Sequence, residues 1–171
     1  MEVEDLNPKK LADQVLEAYW DIDYFPVNPF KIAVDMGIKL KLVSFPKEEK
    51  VSGALLKEEG YPAIIGIEKD EPRSRQRFSC AHELGHYVSR IERKETNNKY
   101  RYIDYRSPSS SSGKEPEEIF ANQFAAHLLM PNDFIRRSVK KGYSIYWIAE
   151  TFGVSLESVK HKLNYLRLSC G

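Results

Sequence analysis

His82-Glu83-Leu84-Gly85-His86 sets two imidazoles four residues apart, with a carboxylate beside the first. On a helix that spacing puts both histidines on one face about one turn apart, so both can reach a single ion. Glu83 can then reach an activated water without having to bind the ion itself. Zinc held by three protein ligands keeps a fourth position open, lowers the pKa of its water to roughly 7 and polarises a carbonyl. The chemistry that fits is hydrolysis of a peptide bond. A pentapeptide with three fixed positions also recurs by chance, as a solvated helix that happens to carry two histidines. A helix around the motif and a third ligand elsewhere separate the two readings.

Both can be found. Glu71-Pro72 opens a stretch that runs to about Arg90 without further proline, and Phe78, Ala81, Leu84, Gly85 and Val88 fall at helical spacing. Gly85, the one glycine of this stretch, would let another backbone approach closely. Downstream, Pro116 is a favoured first-turn residue for a second helix running from Glu117 through Ala126. Glu118 and Asn122 are four apart on it and share a face, giving an oxygen ligand and an amide able to orient a histidine. Glu117 is the competing carboxylate, but its partner at plus four is Ala121. Both glutamates would also favour a helix N-terminus electrostatically, whatever else they do.

The segments Cys80-Ala81-His82-Glu83-Leu84-Gly85-His86-Tyr87 and Glu118-Ile119-Phe120-Ala121-Asn122-Gln123-Phe124-Ala125-Ala126-His127-Leu128-Leu129-Met130-Pro131 resemble the ImmA/IrrE family of zincin-like metallopeptidases. The resemblance covers about residues 10 to 168, and the second segment is much the more specific. It implies metal binding by His82, His86 and Glu118, with Glu83 as general base. It also implies a regulatory protein substrate, typically a helix-turn-helix transcriptional repressor. A long insertion between the two segments departs from the pattern and leaves the rim of the site open.

Composition fits a compact intracellular enzyme. The 171 residues suffice for one domain with a real core. With 26 Lys and Arg against 25 Asp and Glu, the net charge of +1 makes no bulk case for nucleic acid or membrane. Cys80 and Cys170 do not make a disulfide framework, and Cys80 reads as core. The acidic start, Met1-Glu2-Val3-Glu4-Asp5, is followed by no long apolar run, so neither signal peptide nor membrane span is expected and the expected location is cytoplasmic.

Leu11, Val15, Leu16 and Tyr19 mark an amphipathic helix from Pro8 to about Tyr19, and Asn28-Pro29 caps a short second one ended by Gly37. Ile38 to Leu42, Ser52 to Leu56 and Ala63 to Ile67 read as strands, the last two joined by a turn at Glu58-Glu59-Gly60. An exposed edge of such a sheet could pair with an extended peptide. Residues 92 to 115 are polar and serine-rich and read as mobile loops around a short strand from Tyr100 to Tyr105. Tyr102, Tyr105 and Arg106 there are candidates for stabilising an oxyanion, although packing is the plainer role for the tyrosines. His127, nearly opposite Glu118 on its helix, reads as a packed or surface residue rather than a ligand.

Three short helices complete the chain. Ile148 to Val159, with Gly153 at a turn and Ser155 as N-cap, has the spacing of a helix-turn-helix, and seven Lys and Arg against three acids after Met130 would suit a DNA backbone. Lys162, however, stands where such motifs place an apolar residue. Packing of this hairpin on the core is therefore favoured over DNA binding. The expectation is an α+β, zincin-like metallopeptidase domain with a small antiparallel sheet over residues 1–130, and a helical extension over 131–171 packed on it. It would bind zinc, or less well manganese. The rival is a DNA-binding or partner-docking regulator that carries a metal site without proteolysis.

Overall fold

The computed structural model describes residues 2–95, 99–105 and 115–170. Of the segment expected as loops, 96–98 and 106–114 lie outside the described residues. The first two helices form where their caps allow. In α1 (Pro8–Tyr19) the Asn7 side chain accepts from Lys10 N–H at 2.9 Å. In α2 (Pro29–Asp35) Asn28 accepts from the amides of Phe30 and Lys31. Each has proline in its first turn, where a missing N–H costs no intrahelical bond. Leu11, Ala12, Val15 and Leu16 line the buried stripe of α1.

Four strands, β1 (Lys39–Val43), β2 (Val51–Lys57), β3 (Ile64–Glu68) and β4 (Tyr100–Tyr105), form one sheet in the order β1-β3-β2-β4. β2 and β3 make the expected hairpin, with Gly60 at φ +77° in the turn, and β4 pairs antiparallel with β2. The sheet is not wholly antiparallel, as the sequence reading had it: β1 runs parallel to β3, Lys39 facing Ile64 and Val43 facing Glu68. β1 and β2 are not neighbours; β3 lies between them, antiparallel to β2. Alternation along a strand specifies its faces and says nothing of its neighbours. β1 is also the outer strand on its side, with Lys39 and Lys41 along an exposed edge, a usual protection against stray pairing.

α3 (Arg73–Glu92) crosses the molecule with nearly every residue from Gln76 to Val88 buried. α4 (Pro116–Leu129) packs against both α3 and α1, with Phe120, Ala121, Phe124, Ala125 and Leu128 buried along it. α3 and α4 touch at Gly85, where a Cβ would lie 2.9 Å from the Ala121 Cα. The glycine inside the motif therefore sets how closely α4 approaches.

α5 (Asn132–Lys140), α6 (Ile145–Phe152) and α7 (Leu156–Leu166) follow. Ser144 and Ser155 cap α6 and α7, and Gly153 turns between them at φ +62°. Ile148, Phe152, Val159 and Leu163 are buried in the same apolar cluster as Leu84 and Phe124. Arg77 of α3 adds a polar tie, donating to the carbonyls of Val27, Phe152 and Gly153. Burial lowers its pKa to about 10.

Candidate metal centre

α3 delivers both histidines to one point. His82 Nε2 and His86 Nε2 lie 3.0 Å apart, and both rings are almost completely buried. α4 brings Glu118 to the same point, one carboxylate oxygen 3.4 Å from His82 Nε2 and the other 3.2 Å from His86 Nε2. Glu117, the competing carboxylate, points elsewhere and takes a 2.7 Å hydrogen bond from Arg93.

These three donors fit a divalent ion. Tetrahedral zinc with bonds of roughly 2.0–2.2 Å spaces its donors about 3.4 Å apart, close to the separations seen here. The Asn122 side-chain oxygen lies 3.0 Å from His82 Nδ1. An amide oxygen only accepts, so Nδ1 carries the hydrogen and Nε2 presents its lone pair to the cluster. Electrostatics point the same way. Burial alone would lower the His82 pKa, but Glu118, Glu83 and Asp104 outweigh it and raise it to about 9. For Glu118, burial pushes upward, yet the two histidines hold the carboxyl well below the usual range. Burial lowers His86. The cluster thus takes up positive charge at its centre, which a cation would supply instead of a proton.

Glu83 is fully buried, and among the described residues neither of its carboxylate oxygens has a hydrogen-bond partner. Burial first, then repulsion from Asp104 and Glu118, raises its pKa to about 8 against the pull of His82. Such a carboxyl is primed to hold or release a proton near neutrality. Gly53 makes room for it: a Cβ on that residue would stand 3.2 Å from Glu83 Oε1. The shift in β2–β4 register between Val51 and Gly53 falls beside this contact.

The rim comes from β4. The Tyr102 ring stacks on His86 with centroids 4.2 Å apart, and its hydroxyl accepts from Arg90 at 3.1 Å. Arg90 and Arg93 both pair with Glu95. Tyr105 closes β4, and Arg106 lies outside the described residues. Below the histidines, Asp104 accepts from Ser79 Oγ at 2.9 Å and from Arg75 at 3.2 Å. Sequence reading missed Gly53, Asp104 and Arg90. One signal was present, since Arg75, Ser79, His82 and His86 fall at spacings of four, three and four along a single face of α3. Cys80 is buried in the core, where desolvation pushes its thiol up, and His127 is packed away from the donors.

Among the described residues, no helix is long and apolar enough to cross a membrane. No curated protein matches this chain. A solved structure of a Mycobacterium tuberculosis transcriptional regulator resembles it with a TM-score of 0.61 at 18% identity, over 92% of this chain and 46% of that one. The likeness is one of fold, and this chain spans under half of that protein's length. Residues 35–164 match the IrrE N-terminal-like domain, a match that contains both histidines, Glu83 and Glu118. The chain belongs to the Peptidase_M78 family.

Proposed function

We propose that this protein is a zinc-dependent metalloendopeptidase that cleaves a regulatory protein, such as a helix-turn-helix transcriptional repressor, in the cytoplasm. The observation that carries the reading is the convergence of His82, His86 and Glu118 beside a buried Glu83 carboxylate that has no hydrogen-bond partner among the described residues. Family membership supports peptidase chemistry, and the fold shared with a transcriptional regulator supports a regulatory setting.

In this reading His82, His86 and Glu118 hold the ion, and manganese is a weaker substitute for zinc. When bound, such an ion supplies Lewis-acid polarisation of a peptide carbonyl and acidifies water. Asn122 fixes the His82 ring, and Tyr102 fixes the His86 ring from its face. Glu83 removes a proton from the attacking water and returns it to the departing amine. Tyr102, carrying an arginine on its hydroxyl, is the described candidate for steadying the oxyanion, with Tyr105 and Arg106 as further ones. Residues 131–171 serve in this reading as a helical cover over the core formed by 1–130.

The test is Glu83→Gln alongside Glu118→Ala, assayed for zinc content and for cleavage of a neighbouring repressor with and without chelator. Glu83→Gln should keep the metal and lose cleavage by about 10²–10⁴-fold. Glu118→Ala should lose the metal. Cleavage that survives in Glu83→Gln would overturn the role given to that residue. A repressor left intact but bound would favour a docking regulator that carries metal without hydrolysis.

A further inference from the structure

Lys162, the residue out of place in the helix-turn-helix pattern, is 4% exposed on α7. Its ammonium lies 3.1 Å from His127 Nδ1 and 3.4 Å from the Ala126 carbonyl. Burial lowers the pKa of His127 to about 4, so the imidazole is a neutral neighbour at pH 7. Among the described residues no carboxylate pairs with Lys162. Asp13, whose charge it feels, is itself paired with Lys9.

A cavity of about 320 Å³ opens beside this lysine. Phe78, Ala126, Met130 and Tyr165 give it apolar walls, and among the described residues none that lines it is acidic. It also adjoins the metal centre. Asn122, whose oxygen orients His82, lines the cavity, and so does Phe78, whose ring centroid is 6.4 Å from that of His82.

A buried ammonium that meets only neutral acceptors is costly to keep. A carboxylate entering the cavity would complete an ion pair where low dielectric makes a charge-assisted bond strongest. Burial pulls the Lys162 pKa down to about 8, so the group still carries its proton near neutrality. An extended peptide advances roughly 3.3 Å per residue. A side chain within a residue or two of the bond at the metal therefore has the reach for a cavity that begins at Asn122.

We infer that this cavity is a specificity pocket for a carboxylate of the bound peptide, and that Lys162 is the residue that recognises it. The inference rests on the peptidase reading for its use but not for its test. The chain has three methionines, Met1, Met36 and Met130, and Met130 lines the cavity while Met36 ends α2. Full-length protein carrying ¹³C-methyl methionine can be titrated with a short alanine peptide, blocked at both ends, that contains one glutamate. The glutamine version of the same peptide is the comparison.

The glutamyl peptide should shift the Met130 methyl and not that of Met36, and bind about tenfold or more tightly than the glutaminyl one. Lys162→Met should erase that preference with metal content unchanged. A glutaminyl peptide with a free C-terminal carboxylate forms a third arm. If it binds as the glutamyl peptide does, the pocket accepts a chain-end carboxylate as well as a side-chain one. Equal Met130 responses to the blocked glutamyl and glutaminyl peptides, or none to either, would overturn the pocket. Cleavage of quenched peptides without acidic preference, beside a silent Met130, leaves the peptidase reading standing and this one fallen. A carboxylate-selective Met130 shift with no hydrolysis of any peptide does the reverse.

Discussion

The two halves of α4 each face a buried polar group, and they treat it in opposite ways. Toward its N-terminus, Glu118 and Asn122 meet two histidines of α3 with a carboxylate and an oriented amide. Toward its C-terminus, Ala126 and His127 meet Lys162 of α7 with a carbonyl and a neutral ring. The first place gathers negative charge around a gap between donors. The second holds a positive charge with no acid against it among the described residues. One helix thus presents a site that calls for a cation and, roughly two turns on, a site that calls for an anion. In the readings proposed above, a metal ion would complete the first and a peptide carboxylate the second.

Truncation after Met130 is the most drastic way to break that comparison, because it deletes the lysine and leaves the donors. It also removes Ile148, Phe152, Val159 and Leu163, which are all but fully buried. Each such side chain is worth about 1.5–3 kcal/mol, so the four together rival the whole stability of an ordinary domain, roughly 5–15 kcal/mol. The truncated protein should show no cooperative melt and no stoichiometric zinc. A folded, metal-loaded fragment with an unchanged melting temperature would mean that the two halves of α4 are independent.

The two sites also differ in how far they can be read from sequence. His82 and His86 announce themselves because four residues on a helix is one turn, and Glu118 with Asn122 repeats that spacing. Gly85 could be foreseen as a close approach, and Asn28 and Ser155 as caps, for the same local reason. Lys162 appears in the sequence only as an oddity, since its meaning depends on α7 folding back onto residues 35 and 36 positions earlier. Gly53 is equally silent: its use is the space it leaves for Glu83, thirty residues further along the chain. Arg77 reaches Gly153 across 76 positions. Local spacing therefore finds candidate ligands, while the groups that shape, orient and flank them come from tertiary contacts that periodicity does not encode. The parallel pairing of β1 with β3 escaped for this reason too.

A gentler change sharpens the first half of the comparison. Asn122→Ala removes the oxygen that holds the His82 tautomer but leaves all three donors in place. Loss of such an orienting partner typically weakens metal binding by about 10–100-fold. Zinc competition against a chelator dye should show that loss with little change in the melt of the metal-free protein. If affinity is unchanged, His82 is oriented by packing against Phe78 instead.

The smallest expected effect, and the one with a sign that tells, comes from Lys162→Met. The folded-state pKa of Lys162, about 8, is depressed from the ordinary 10.5, with burial as the first cause. Between these values the unfolded chain binds the proton and the folded one does not, so stability rises with pH across that window. Below about 8 both states are charged and the full desolvation penalty remains. Replacing the lysine by methionine, similar in length and uncharged, should therefore stabilise the protein at pH 7, by roughly 1–2 kcal/mol once solvent relaxation is allowed for. Most of that gain should be gone by pH 10, where the native lysine is already neutral. Melts of the two proteins at pH 7 and pH 10 make the comparison. A variant less stable than the parent at pH 7 would mean that the ammonium is well satisfied by His127 and Ala126 alone, and the contrast between the two halves of α4 would disappear. A gain at pH 7 that fades at pH 10 would mark Lys162 as a residue kept at a cost to stability, as side chains retained for binding often are.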